Sequence, residues 1–380
     1  MGLSQETLYV LRAKMVSYNS LPGQAGLQGN AAAGAQLLQQ LQGSSLSGTY
    51  SAYNYYLQSA IDAGTLGGVE SAVGGQVHAD AASYLLRQDA MIDQAAAPYS
   101  SGNDLKVGQY RLWSTALASY LGTDGSSSVA SSNEHGQGMM VGVTARFSGQ
   151  LSARAGFGYS HGNIGGAGGN AQTDLTFFNV GARYAPGSLE QGLFVDTSII
   201  AGWLDYDSKR DLGGGLGTAR GDSHGKLTGA TLALGYRIPV SDMIFEPSLG
   251  VRISHLDLSG FREKGSELAL DVDGIEQTRR SALANLNVSF VPVGLGRWQL
   301  VPGVRAGYEH VLGDSSVNSE GHLPGLDIDQ RAAFDNRDQF TAGVNLMASL
   351  DALSLGAELG ASAGGESHGF GASLKASYLF

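Results

Sequence analysis

The residue types able to do chemistry are plentiful, but few stand at useful spacings. Seven of the eight histidines, His135, His161, His224, His255, His310, His322 and His368, fall in loops or at strand ends on one side of the expected topology. A metal site would need them in a fixed pattern such as His-Glu-x-x-His. None occurs, so solvated histidines and no metal or other cofactor are expected. Asp271-Val272-Asp273-Gly274 begins as a calcium loop begins, but the remaining ligand positions do not follow. Gly221-Asp222-Ser223-His224 sets a serine beside a histidine, the residue types of acyl transfer. That chemistry places its serine on a strand-to-helix turn of an α/β domain, whereas this tetrapeptide enters an alternating strand. Arg220-Gly221-Asp222, in an expected surface loop, has the form of an adhesion tripeptide, which arises easily by chance beside a Gly-rich run. No catalytic set emerges, and the chain is expected not to be an enzyme.

A second group of charges is more regular. Arg146, Arg183, Arg237, Glu246, Arg252, Arg305, Glu309 and Lys375 each lie on the polar face of a segment that alternates with period two. In Gly369–Phe380, Phe370, Ala372, Leu374, Ala376, Tyr378 and Phe380 share one face, and Gly371, Ser373, Lys375 and Ser377 share the other. Met139–Phe147, Thr228–Ile238, Phe245–Ile253 and Leu300–His310 repeat the pattern. About twelve segments do so, at roughly 109–122, 136–147, 151–163, 173–185, 191–206, 223–239, 243–258, 275–292, 297–311, 334–350, 352–364 and 367–380. Most reach the ~9–11 residues with which a tilted strand crosses a bilayer.

Composition bounds what these strands can be. The chain has 380 residues, 57 glycines, no cysteine, a net charge of -11 and a mean hydropathy of -0.06. Nothing approaches the ~18 apolar residues of a membrane helix. An acidic chain is a poor general nucleic-acid binder. The missing cysteines exclude disulfide scaffolds and thiolate metal sites. The first hundred residues differ from the rest, with helix-forming stretches at Ala31–Gln42, Ser51–Ala63 and about Gln76–Ala96, the last closed by Pro98; Leu8–Val16 is too short to classify. Met1–Glu6 has no basic region followed by an apolar core, so a cytosolic chain or a fragment with its leader upstream is expected.

The connections decide between a soluble and a membrane barrel. Short turns at Ser148–Gln150, Pro186–Glu190, Pro239–Asp242, Val293–Gly296 and Leu350-Asp351 alternate with long loops at Thr123–His135, Asn163–Gln172, Asp207–Asp222, Ser259–Gly274 and Leu312–Ala333. That is the plan of an outer-membrane barrel. Tyr110, Trp113, Tyr120, Tyr184, Trp203, Tyr206, Trp298, Tyr308, Tyr378 and Phe380 fall near strand ends, as interfacial girdles require. The expected fold is an all-β membrane protein: a 12-stranded antiparallel outer-membrane β-barrel with an N-terminal α-helical linker.

Three stretches and the C-terminus now resemble the translocator unit of autotransporters, the type V secretion family. Gly74–Met91 is similar to the segment before the family's barrel, Arg111–Gly125 to its first strand with Trp113 at the usual tryptophan, and Gly136–Gly162 to the hairpin that follows. Val73-Gly74-Gly75-Gln76 departs from the more usual Leu-Ser-Gly-Glu. The resemblance covers about residues 25–380. It implies a passenger remnant or junction at 1–74, a linker helix at 75–98 that stays in the lumen, and a barrel at 99–380.

It also implies export of an N-terminal passenger to the surface of a Gram-negative cell, with the barrel anchored among outer-membrane lipid and lipopolysaccharide. Leu374, Tyr378 and Phe380 match the signal read by the barrel-assembly machinery, which acts with periplasmic chaperones; a monomer is expected. Twelve strands leave room for one ~10–12 Å helix. Asp80, Arg87, Asp89 and Asp93 of that helix are expected to meet the wall charges named above. The family's self-cleavage uses an Asn-Asn pair, which is missing from the linker; Asn103-Asp104 is a weak substitute, so no release by that route is expected. Two rivals are a passive porin, which has no use for a helical segment before strand one, and a barrel esterase, phospholipase or protease, which needs a convergent Ser/His or Asp/His set at one rim.

Overall fold

The computed structural model describes residues 28–42, 72–99, 101–166, 168–212, 217–266, 268–323 and 326–380. The helix expected at Ser51–Ala63 and the stretch Leu8–Val16 lie outside these residues.

Twelve antiparallel strands close on themselves. They are β1 Tyr110–Thr123, β2 Ser132–Arg146, β3 Leu151–Gly166, β4 Gly169–Tyr184, β5 Gly192–Asp211, β6 Thr218–Val240, β7 Met243–Leu258, β8 Ile275–Phe290, β9 Trp298–Val311, β10 Asp338–Leu350, β11 Leu353–Gly364 and β12 Ser367–Leu379. Each pairs with its sequence neighbours, and β1 pairs with β12 from Arg111↔Leu379 to Thr123↔Ser367. Closure removes the unpaired edge that a sheet cannot leave in lipid.

Alternation sorts the side chains. Outward-facing Leu249, Leu374, Phe370, Leu359 and Ile199 are all more than 60% exposed, which in a bilayer means contact with lipid. Inward positions carry small, polar and charged residues. Turns at one end are tight: Ser241 and Asp351 adopt left-handed backbones (φ 49° and 52°) within two-residue connections, as primed hairpin turns demand. A two-residue turn, Gly365-Glu366, also joins β11 to β12 at the loop end.

The loop end differs from the sequence expectation. Asn163–Gln172 and Asp207–Asp222 are largely strand, because β3–β4 and β5–β6 continue past the apolar band as paired ladders. The backbone keeps its hydrogen bonds there, while the outward face turns polar (Asn170, Gln172, Asp207, Lys209) and the apolar residues such as Ile164 and Ala171 point inward, so the lipid-facing period-two signal fades. Arg220-Gly221-Asp222 therefore lies within β6 and not in a loop. The two longest loops fold into a small four-stranded sheet made of Phe261–Arg262, Asp271–Val272, Asn318–Leu323 and Leu326–Arg331.

Among the described residues, the helices ahead of the barrel include α1 Gly29–Gln42, α2 Gln76–Leu85 and α3 Gln88–Ala96. A turn at Leu86-Arg87 interrupts the helical segment inside the lumen, and a 3-10 turn, Ala97–Tyr99, leads out of it.

Candidate functional site: the plugged lumen

Helices α2 and α3 form the centre of the buried core. Every residue of α2 is buried. Ala79, Ala81 and Ala82 keep it slim, and Val77, Leu85 and Ile92 pack into the same cluster as Ile164, Leu175, Phe177, Ile200 and Leu204 of the wall. The lumen is therefore apolar around part of the helix, a feature that period-two reading misses because strands apolar on both faces do not alternate. Close approach fixes one glycine: a methyl on Gly162 would overlap the Tyr84 ring.

Polar groups hold the remaining face. Asp93 accepts hydrogen bonds from Thr231 (2.7 Å) and from Ser198, with Arg154 at 3.6 Å and Arg252 at 4.0 Å. Asp89 accepts from Ser254 and lies 3.9 Å from Arg252. Asp80 meets no wall charge; it accepts from the Ala333 backbone N–H (2.7 Å) and from Gln76 (3.3 Å). Arg87 pairs with Glu134 (2.6 Å) and lies 3.9 Å over the Phe334 ring.

Of the wall charges named from sequence, Arg252 is the one drawn within 4.0 Å of the helix carboxylates. Arg146 donates to the carbonyls of Asn103 (3.2 Å) and Leu105 (2.8 Å), just past the helix. The others pair along the wall. Arg183 and Arg237 share Glu246 at 2.8 and 3.0 Å, and Arg183 also holds Asp196. Arg305 and Lys375 share Glu358, and Glu309 bridges Arg252 and Arg279 at 3.2 Å each. Sequence reasoning missed Glu134, Arg154, Asp196, Arg279 and Glu358.

The two ends of the plug sit at opposite mouths. At the turn end, Tyr99 stacks on Trp113 (4.8 Å between centroids) and its carbonyl accepts from Thr144 (2.8 Å). Trp113 faces inward and is not a girdle residue; it shares the face of Thr115, whereas Leu112 is lipid-exposed. Tyr206 is also inward and buried, 2.6 Å from His78 Nδ1.

At the loop end, His78 Nε2 lies 3.1 Å from Glu263, which forms a fully buried pair with Arg210. Arg210 also donates to the carbonyls of Ala72 (2.8 Å), Val73 (2.9 Å) and Leu268 (3.2 Å). Burial would raise the Glu263 carboxyl, but hydrogen bonds and charge from Arg210, with help from His78, hold it well below the usual carboxylate range.

The remaining sequence candidates are dispersed. Leu374, Tyr378 and Phe380 face outward, and Phe380 stacks on Tyr110 across the closing seam (5.3 Å). His161, His310 and His322 each bond aspartates: Asp174, Asp338, and the pair Asp273 and Asp327. Among the described residues no group of three or more His, Asp or Glu is arranged to hold a metal ion. Ser223 donates to the Ser259 carbonyl (2.6 Å), and His224, the next residue of the strand, projects to the opposite face.

A closed barrel with a lipid-facing apolar band, a charged lumen and a helical segment running mouth to mouth defines the class: an outer-membrane translocator unit. Residues 112–360 match the family model described as Autotransporter beta-domain, and the chain belongs to that family. It is a barrel of the Gram-negative outer membrane.

Among solved structures, the chain is similar to the translocator domain of autotransporter NalP from Neisseria meningitidis. The TM-score is 0.65 at 19% identity, covering 80% of this chain and 99% of that one. The β domain of the Bordetella autotransporter BrkA gives 0.50 at 16%, covering 72% and 100%. Serotype-specific antigen 1 of Mannheimia haemolytica is 23% identical over 325 residues, 83% of this chain and 33% of that protein. Esterase EstA of Pseudomonas aeruginosa is 26% identical over 206 residues, 52% and 31%. The chain thus spans about a third of the length of these curated relatives.

Proposed function

We propose that this barrel supports export of a passenger attached upstream of the linker and anchors it at the cell surface. The observation that carries this reading is the linker's path. It enters beside the long loops, where Arg210 holds the Ala72 and Val73 carbonyls, and leaves at the turn end beside β1. A chain that ran outward through the lumen would come to rest in this way.

In this reading residues 1–74 are the passenger junction, 75–98 the plug and 99–380 the barrel. The wall charges and Asp80, Arg87, Asp89 and Asp93 seat the plug. Leu374, Tyr378 and Phe380 present the assembly signal to the barrel-assembly machinery, with periplasmic chaperones delivering the chain. The barrel works as a monomer and catalyses no reaction; any activity belongs to the passenger. The likeness to an esterase covers too little of that protein to bring its activity here, and Ser223 and His224 cannot meet as a dyad.

An epitope tag placed ahead of Met1 tests the reading. Antibody should label the tag on intact cells, and Phe380→Ala should lower both labelling and the heat-resistant barrel band on a gel. A tag that stays in the periplasm while the barrel assembles normally would overturn it.

A further inference from the structure

The plug is itself covered. Asn30, in the first turn of helix α1, lies 46 residues upstream of Gln76 in sequence, yet it is only 2% exposed. Its backbone N–H donates to Ser128 O in the β1–β2 loop (2.7 Å). Its side-chain amide donates to Gln76 Oε1 (2.8 Å) and to Arg331 O (2.6 Å), and its Oδ1 accepts from the Arg331 N–H (2.7 Å). One side chain thus ties the exported segment to the top of the plug, to the Asn318–Arg331 hairpin and, through its own backbone, to a barrel loop. The Arg331 N–H can only donate, which fixes which way the amide points.

The neighbouring groups complete the joint. Gln76 donates to Ala130 O (2.9 Å) and accepts from Ala130 N (3.0 Å). Gly29 is left-handed (φ 54°), and a side chain there would overlap the Ser128 carbonyl. Ala31 and Leu37 are buried on the same helix.

We propose that Gly29–Gln42 is a roof for the barrel: an exported segment that docks back on the Leu326–Arg331 strand and the β1–β2 loop, with Asn30 as its pin, and seals the mouth above the plug. The inference rests on the export reading, since α1 must stand outside before it can dock. The seal is then made only by a chain whose export is complete. Two layers close the pore: α2 and α3 fill it, and α1 covers it and holds the plug's upper end through Gln76, so that loss of the roof lets the plug shift and the pore open more often. The amide of Asn30 matches a strand edge in both directions, N–H to carbonyl and carbonyl to N–H, which an aliphatic side chain cannot do.

The test uses the full chain in planar bilayers, together with amide exchange. Asn30→Ala should raise the frequency of channel openings several-fold and speed exchange of the Arg331 amide about tenfold, by freeing it from its acceptor. Gly29→Val, which blocks docking at Ser128 and touches nothing inside the barrel, should do the same. The heat-resistant gel band checks that both variants assemble. Unchanged openings, or unchanged Arg331 exchange, in both assembled variants overturns the roof. Deleting residues 76–98 is run alongside: if that deletion opens the pore and the two variants do not, the roof alone falls; if the deletion also leaves conductance unchanged, the plug reading falls with it.

Discussion

Arg87 of the plug and Glu134 of β2 meet at 2.6 Å with Glu134 nearly out of solvent. Between them they join the linker to the wall at the point where the helix breaks. Arg87 also donates to the Ser83 carbonyl (3.0 Å), so the break at Leu86-Arg87 is stapled to the turn before it. Removing one partner of a buried pair leaves the other uncompensated, at a cost of roughly 3–5 kcal/mol. Arg87→Ala should loosen the plug by an amount in that range, and replacing both residues with Met should recover most of it. Chemical denaturation followed by conductance of the refolded barrel measures both.

Gly162→Ala should expel the Tyr84 ring. Overpacking of this kind costs about 1–3 kcal/mol. Gly149→Ala, at a turn with open space around it, should change stability by less than ~0.5 kcal/mol. Thermal midpoints of the two variants separate a tight lumen from a loose one.

The loop hairpin should be pH-sensitive. Hydrogen bonds from His322 to Asp273 and Asp327 raise its imidazole from 6.5 to about 9. A folded-state value above the unfolded one means that the stabilisation is complete below about pH 6.5 and is lost as pH rises through about 9. Exchange of the Gly321 and His322 amides, corrected for intrinsic rates, should therefore quicken between pH 7 and 10. Asp327→Asn should move that transition to lower pH.

Tryptophan emission should report the plug. Trp113 is stacked and buried, while Trp203 is 54% exposed on the lipid side. Brominated lipid should quench Trp203 strongly and Trp113 weakly. Deleting residues 76–98 should shift Trp113 emission to the red, as the ring meets water. Trp113→Phe serves as the control.

Much of the barrel could be read from sequence because one face meets lipid and the other does not. Leu374 and Lys375 sort cleanly for that reason. Residue type places Trp113 and Tyr206 in the girdle, yet their parity within β1 and β5 turns them inward, with Thr115 and Leu204. Parity would also have found Arg154, which shares the face of Ser152. Glu134 lies where its strand has left the apolar band and neither face is apolar, so no pattern marks it. Glu263 lies in a loop and has no period at all. Leu175, Phe177 and Ile200 were hidden by the opposite problem: apolar residues on both faces erase the alternation.

The overshoot of β5 and β6 has a consequence outside the cell. At roughly 3.3 Å per residue and a tilt near 40°, a strand as long as β6 rises about 55–60 Å, against a hydrocarbon core of about 30 Å. Its paired ladder continues to Asp211↔Thr218. The hairpin stands well above the lipid, braced by the Arg220–Lys264 bridge to the loop that follows β7. Antibodies and phage arriving from solution would meet this raised, polar outer face before they reached the lipid.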